Sequence, residues 1–387
     1  MKICMLTPRF PFPENGGDVL RLNSISRYLK SKGHTLVLVS FTDYDNSDVS
    51  SAKAIYDKVY VIRRNKLGSL LHGVLHMLSG KPLQCGYYWS SSYLRLLTDV
   101  IEKERPDMYV SHLLRMSPYL EKLGLQAKSV VEMTDALSKT YSMSQGAKGW
   151  SVNKMAYFFE RSLIAKYEDK VIADFPKVVL VSQADVDYLA QRNERSDSLC
   201  VHTNGVDCLS SPSPSYVKEK IVFVGNMRTL QNQDAVFRFV NEIFPKVLKV
   251  CPEAKFHIVG AQPPANVQAL ASDNIIVTGY VEDLESEISD ACLAVAPVHI
   301  AAGIQNKVLV AMGCGVPVIL TSLISKAIPE LVDGDNCFIR DDSDEFADVC
   351  VRLMTDSHCR DNVAQSGHQT VLRGYSWNDK LEGYEKI

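Results

Sequence analysis

Short runs rich in β-branched and apolar residues alternate, along nearly the whole chain, with stretches whose apolar residues recur every three or four positions. That alternation is the pattern of strand–helix units wound around a parallel sheet. The first half predicts strands at Lys2–Thr7, Thr35–Phe41, Lys58–Ile62, Met108–Ser111, Ser129–Met133 and Lys177–Ser182. Leu22, Ile25 and Leu29 mark one face of a helix over about Val19–Ser31, and Gly33 stands where a C-terminal cap belongs. The alternation breaks at Asn204–Lys220, where Cys208–Ser215 has the Ser/Pro composition of a linker. A second series follows, with strands at Ile221–Val224, Lys255–Val259, Ile275–Thr278, Leu293–Ala296 and Val316–Leu320. Helices are predicted over Asp234–Val250, about Gln305–Cys314, and from Asp342 onward. Three of these strands run into glycine, at Gly225, Gly260 and Gly279, where a backbone can approach a ligand closely. The expected organisation is an N-terminal Rossmann-like domain at residues 1–203, a linker at 204–219, a second Rossmann-like domain at 220–370 and a closing segment at 371–387. Two such domains would face a central cleft at the carboxyl ends of their strands, an arrangement shared by enzymes and two-domain binding proteins.

Composition narrows the choice. With 42 Lys plus Arg against 45 Asp plus Glu, a net charge of −3 and 46% hydrophobic residues, the 387-residue chain has the balance of an ordinary globular protein. It lacks the excess of positive charge that nucleic-acid binding by counterion release needs, so no nucleic-acid partner is expected. The ten cysteines are scattered and form no C-x-x-C pair, which points to buried thiols in a reducing compartment. No run approaches the roughly 18 apolar residues of a membrane span, and the Met1–Pro8 opening is too short for a signal-peptide core. A cytoplasmic location is expected. The nine histidines are dispersed, and His72 and His76 share a helix with no carboxylate near them, so no metal site is expected.

Candidate chemistry lies in the loops. Pro11–Asp18 carries the Gly16-Gly17 pair between the first strand and the first helix, where free N–H groups and the positive end of the helix dipole could receive an anion or a sugar hydroxyl. The full G-x-G-x-x-G pattern is absent, so an ordinary glycine turn explains the stretch about as well. In Gly303–Val318 the helix starts after an apolar strand with Lys307 in its first turns, which suits a diphosphate, or equally a capped surface helix with a solvated lysine. Asn204-Gly205 is a turn signal whatever the function. Arg63-Arg64-Asn65-Lys66 precedes an apolar helix, Leu67–Leu78, that could rest on lipid headgroups or pack on the sheet.

Taken in order, these stretches resemble the family-4 retaining glycosyltransferases of the GT-B fold, similar to the sugar transferases that build bacterial surface polysaccharides. The likeness runs from the Gly16-Gly17 loop and Gly33-His34-Thr35-Leu36 through Asn204-Gly205-Val206-Asp207, Phe223-Val224-Gly225-Asn226-Met227 and Pro252–Gly260. It continues through Val277–Val281 and Asn306-Lys307-Val308-Leu309 to Tyr375-Ser376-Trp377-Asn378, similar to the family's closing helix that crosses back to the first domain. The resemblance implies a hexosyltransferase with a UDP- or GDP-linked sugar as co-substrate, no further cofactor, and a glycan or lipid-linked acceptor. It implies donor binding by Gly225, Asn226, Arg228, Gly303, Gln305, Asn306, Lys307 and the position of Val310. A phosphate or acceptor loop would comprise Asn15, Gly16, Gly17 and Arg21, with Arg115 at the acceptor. His112 would lie near the transferred sugar and Asp135 would orient an acceptor hydroxyl, although a packed histidine and a helix cap are the plainer readings of those two residues. The chain departs from the family at its hallmark glutamate pair, whose positions are held by Ala302 and Val310. Valine cannot accept the ribose hydrogen bonds, which leaves open a catalytically degenerate protein serving as a glycan-binding or partner subunit. A nucleotide-sugar epimerase of the same fold is a further alternative.

Overall fold

The computed structural model describes residues 1–14, 16–43, 49–144, 152–207, 215–281, 283–299 and 305–386. The chain divides into two compact units, Met1–Thr203 with Leu381–Ile387, and Asn204–Lys380.

The first unit holds seven parallel strands: β1 (Lys2–Thr7), β2 (Thr35–Thr42), β3 (Lys58–Arg63), β4 (Met108–His112), β5 (Ser129–Thr134), β6 (Lys177–Leu180) and β7 (Leu199–Val201). Their order is β3-β2-β1-β4-β5-β6-β7. The central strands are continuous apolar runs because helices cover both faces of the sheet: Ile3 to Leu6 and Leu36 to Val39 are completely buried. The Gly17–Ser31 helix ends on Lys32, and Gly33 takes the left-handed conformation (φ 81°) expected just past a helix end. The order reverses between β1 and β4, so the carboxyl ends of Thr7 and His112 flank the switch point where doubly wound sheets bind ligands.

The second unit repeats the plan with β8 (Val217–Val224), β9 (Lys255–Val259), β10 (Ile275–Gly279), β11 (Ala291–Ala296), β12 (Val318–Leu320) and β13 (Phe338–Ile339), all parallel in the order β10-β9-β8-β11-β12-β13. Its switch point lies between the ends of β8 and β11.

Several expectations need correction. Strand β8 starts at Val217, inside the predicted linker, and Val206 pairs with Ser376 within the second unit. Gly205 is required there, since a Cβ would stand 2.5 Å from the Trp377 backbone. The helix read over Asp234–Val250 is three pieces, Leu230–Arg238, a π turn at Phe239–Ile243, and Phe244–Val250. Pro245 has no N–H to donate into the preceding turn, and the wider π turn absorbs the mismatch. Of the expected closing segment, residues 371–380, with the end of the helix Ser357–Gly374 and the turn Trp377–Lys380, belong to the second unit, and only Leu381–Ile387 belongs to the first. There Tyr28 Oη donates to Glu385 at 2.6 Å and Tyr384 Oη donates to Glu132 at 3.1 Å. Nine of the cysteines lie among the described residues and all are free thiols.

Candidate active site

In the second unit the chain leaves β8 through Gly225-Asn226-Met227-Arg228. The Gly225 N–H donates to Val259 O at 3.0 Å, which ties the loop to the end of β9. At Gly260 (φ 151°) a Cβ would fall 1.8 Å from the Gly225 carbonyl oxygen, so the two strand ends touch only because Gly260 has no side chain. Asn232 sits behind the loop. Its Nδ2 donates to Asn226 O at 2.9 Å, and its Oδ1 accepts a hydrogen bond from Lys307 Nζ. Lys307 also lies over the Phe223 ring, 4.5 Å from the centroid, in the first turn of the helix Asn306–Gly313. Burial lowers its pKa to about 7, because the one hydrogen-bond partner seen at its Nζ is a neutral amide that does not compensate for lost hydration. Next to it, the buried Oδ1 of Asn306 has no partner. Gln305 is buried at the helix N-cap, and Arg228 is exposed with one guanidinium N–H donated to Gln262 Oε1 at 3.1 Å. These side chains gather five predicted donor residues, Gly225, Asn226, Arg228, Asn306 and Lys307, around the end of β8 and the start of one helix. Val310 lies one turn beyond Lys307, half-buried against the apolar core. Gly303 and Ala302 lie outside the described residues, as does Asn15 in the first unit.

The first unit has a matching rim. His112 ends β4 completely buried, with no hydrogen-bond partner at either ring nitrogen. Burial pushes it down to about 4, and Arg21, Arg115 and Arg9 act in the same direction against the opposing Asp18. The imidazole is therefore neutral at physiological pH and able to exchange hydrogen bonds with a ligand hydroxyl. Backbone strain collects at the same place: Leu113 (φ 70°) and Thr134 (φ 72°) follow or end adjacent strands in a region that disfavours non-glycine residues. Thr134 Oγ1 and Arg115 Nε are buried without partners, and the Arg115 guanidinium stacks 5.0 Å from the Tyr88 ring centroid. Asp135 is raised to about 6, first by burial and then by the Asp185 carboxylate, against Arg21 and Lys139. It is not the helix cap that the plainer reading made it, because the Ser138 N–H donates to Glu168 Oε1 at 3.1 Å.

The Gly16-Gly17 turn adopts φ 118° at Gly16, which precedes the Gly17–Ser31 helix, and Arg9 pairs with Asp18 beside it. Arg21 departs from its expected place. Its guanidinium turns into the interior, with Nε 2.9 Å from Glu132 Oε1 in an ion pair that is buried at both ends. It cannot also face a phosphate over the glycine turn. Glu132 and Asn232 had no sequence signal of their own, since each matters only through a partner 111 or 75 residues away.

The unpartnered His112 ring should make the first unit acid-sensitive. Its pKa falls from the ordinary 6.5 to about 4 on folding, so stability is lost as pH drops from about 6.5 towards 4, where the unfolded chain binds the proton first. Asp135 acts with the opposite sign, gaining stability as pH falls through 6. Urea unfolding across this range should therefore show a shallower acid decline for His112→Gln than for the wild type, and equal slopes would contradict the assignment.

Two doubly wound units of this strand order, each with a ligand-type rim at its switch point, define the GT-B fold of the glycosyltransferases. Residues 218–356, within the second unit, match the family model described as Glycosyl transferases group 1. An uncharacterized 44.6 kDa protein of the cps region of Klebsiella pneumoniae is 23% identical over 337 residues, 84% of each chain. The Anabaena protein HepE, solved with UDP and glucose, superposes with a TM-score of 0.68 at 15% identity over all of this chain and 98% of its own. WaaG, a glycosyltransferase involved in lipopolysaccharide biosynthesis, gives 0.67 at 14% identity, over all of this chain and 99% of its own.

Among the described residues no three His, Cys, Asp or Glu side chains converge as a metal-binding group. Asp-x-Asp spacings do occur, and their carboxylates serve local roles: Asp185 pairs with Lys139, Asp333 with Arg340, and Asp342 caps the helix Ser343–Thr355. No helix among the described residues is long and apolar enough to cross a membrane.

Proposed function

We propose that the protein transfers a hexose from a UDP- or GDP-linked sugar to a glycan or lipid-linked acceptor, with retention at the anomeric carbon, in the assembly of a bacterial surface polysaccharide. The observation that carries this reading is Lys307, a desolvated ammonium with a neutral partner at the start of a helix. A nucleotide diphosphate docked there supplies the missing negative charge, and the leaving diphosphate is neutralised where the bond to the sugar breaks. Arg228 adds a second cation, and Asn306 Oδ1 offers an acceptor to a ligand hydroxyl. On the first unit, neutral His112 and Arg115 suit the transferred sugar, and Asp135 suits an acceptor hydroxyl. The UDP complex of HepE and the cps-region relative support the donor class and the pathway. With diphosphate neutralisation assigned to side chains, a chelator is expected to leave activity unchanged.

The test is calorimetric titration with UDP, GDP and their hexose conjugates. One nucleotide should bind, and Val310→Glu should tighten it severalfold, because a carboxylate at that position would accept ribose hydroxyl bonds. Unchanged affinity would remove Val310 from the ribose site. The apolar packing of Val310 favours one second reading, a degenerate partner subunit, and absence of any nucleotide binding by the folded protein would select it.

A further inference from the structure

Three arginines act on the His112 ring, and one of them has no anion of its own. Arg9 pairs with Asp18, and Arg21 with Glu132. Arg115 is half-buried, with neither an ion pair nor a hydrogen bond among the described residues, and its Nε is out of reach of water. A cation that has lost hydration is ordinarily offset by a carboxylate. The carboxylates of its neighbourhood are engaged elsewhere. Glu121 and Glu160 act together with Arg115 on the buried Cys85 thiol, but Glu121 accepts from Tyr167 and Lys170, and Glu160 accepts the Gln84 N–H. The charges that chiefly act on Asp135 are Asp185, Arg21, Lys139 and Glu132.

Arg115 is also held in place. It lies in the turn Leu114–Met116 that follows β4, with its guanidinium against the Tyr88 ring. Tyr88 is fixed in turn, since its carbonyl oxygen accepts from Tyr119 Oη at 2.6 Å and the Tyr119 ring stacks on Trp89 at 4.9 Å. The Arg64 guanidinium meets the same Tyr88 ring at 5.1 Å, and it is bonded to Asp43. Of the two guanidinium groups on one ring, only Arg115 lacks a carboxylate. A guanidinium preset in this way offers a planar fork of donors that matches a carboxylate. On the same strand ends the His112 ring nitrogens and Thr134 Oγ1 are buried without partners, which suits a ligand that brings hydroxyl groups as well as a charge.

We infer that the sugar seated on this rim is a hexuronic acid, whose carboxylate takes the fork of Arg115. The inference rests on the proposed function only in that a sugar binds here, and it adds the charge that the sugar carries. That sugar is either the one transferred or the acceptor residue that receives it, and titration tells the two apart.

The full chain is titrated calorimetrically with two matched sets. One is UDP-glucuronate against UDP-glucose and GDP-mannuronate against GDP-mannose; the other is methyl glucuronoside and methyl galacturonoside against their neutral counterparts. In one set the wild type should bind a uronate at least about tenfold more tightly than the neutral sugar, the usual worth of a charge-assisted hydrogen bond. Preference in the nucleotide set makes the uronic acid the transferred sugar, and preference in the glycoside set makes it the acceptor. Arg115→Gln should abolish the preference, and Arg115→Lys should keep part of it, because the charge remains and the fork does not. A merely structural arginine would weaken the charged and the neutral sugar alike. The absence of uronate preference in both sets overturns the proposal, as does a preference that survives in Arg115→Gln. UDP and GDP alone test the donor site separately. Nucleotide binding without uronate preference sinks only this inference, and uronate preference without nucleotide binding sinks only the donor site.

Discussion

Lys307→Ala is expected to weaken nucleotide binding roughly tenfold to a hundredfold, the usual worth of a charge-assisted hydrogen bond in a desolvated site. The wild-type lysine should also print a pH dependence on binding. With a free-protein pKa of about 7, the ammonium is mostly formed below pH 7 and mostly lost above it. A diphosphate binds the charged form and raises its pKa, so binding takes up a proton. Affinity for a nucleotide sugar, whose diester diphosphate does not titrate here, should be highest below pH 7. Above that it should fall by up to roughly tenfold per pH unit. Lys307→Arg keeps its charge throughout, so calorimetry on that variant should give a flat profile. A flat profile in the wild type would contradict the donor assignment.

Gly260→Ala should be the most damaging single change to the second unit. The new Cβ would overlap the Gly225 carbonyl oxygen at 1.8 Å, and φ 151° is unfavourable for any side chain. Backbone on one side and a paired strand on the other leave no flexible side chain to move aside. The cost should exceed about 4 kcal/mol, in the range reserved for severe steric conflicts. In a denaturation curve with two transitions, one should shift sharply and the other stay. A variant that melts like the wild type would show that the β8 and β9 ends are not in contact.

The sheets were readable from sequence because both are parallel and buried on two faces, so their strands are continuous apolar runs such as Ile3–Leu6 and Leu293–Ala296. The edge strands β7 and β13 escaped notice because three and two residues are too few to show a pattern. The Gly225–Arg228 loop and Lys307 could be placed from their strand and helix ends, whereas Asn232, which bonds to both, has no local signature. Arg21 misled for a related reason. Its position beside the glycine turn suited a phosphate, but its charge is spent on Glu132 at the end of a strand 111 residues away. For the helix Lys66–Leu78, periodicity gave an apolar stripe without saying which side packs. The contact of Gly73 and Gly86 with neighbouring backbone decides it.

The rim around Lys307 is proposed to hold a nucleotide diphosphate. Calorimetric titration of the folded wild type with UDP, GDP and UDP-glucose, repeated on Lys307→Ala, tests it most directly. Saturable binding of one nucleotide by the wild type is expected, with binding roughly tenfold to a hundredfold weaker in the variant. Absence of binding in the wild type, or equal binding in both, would contradict it.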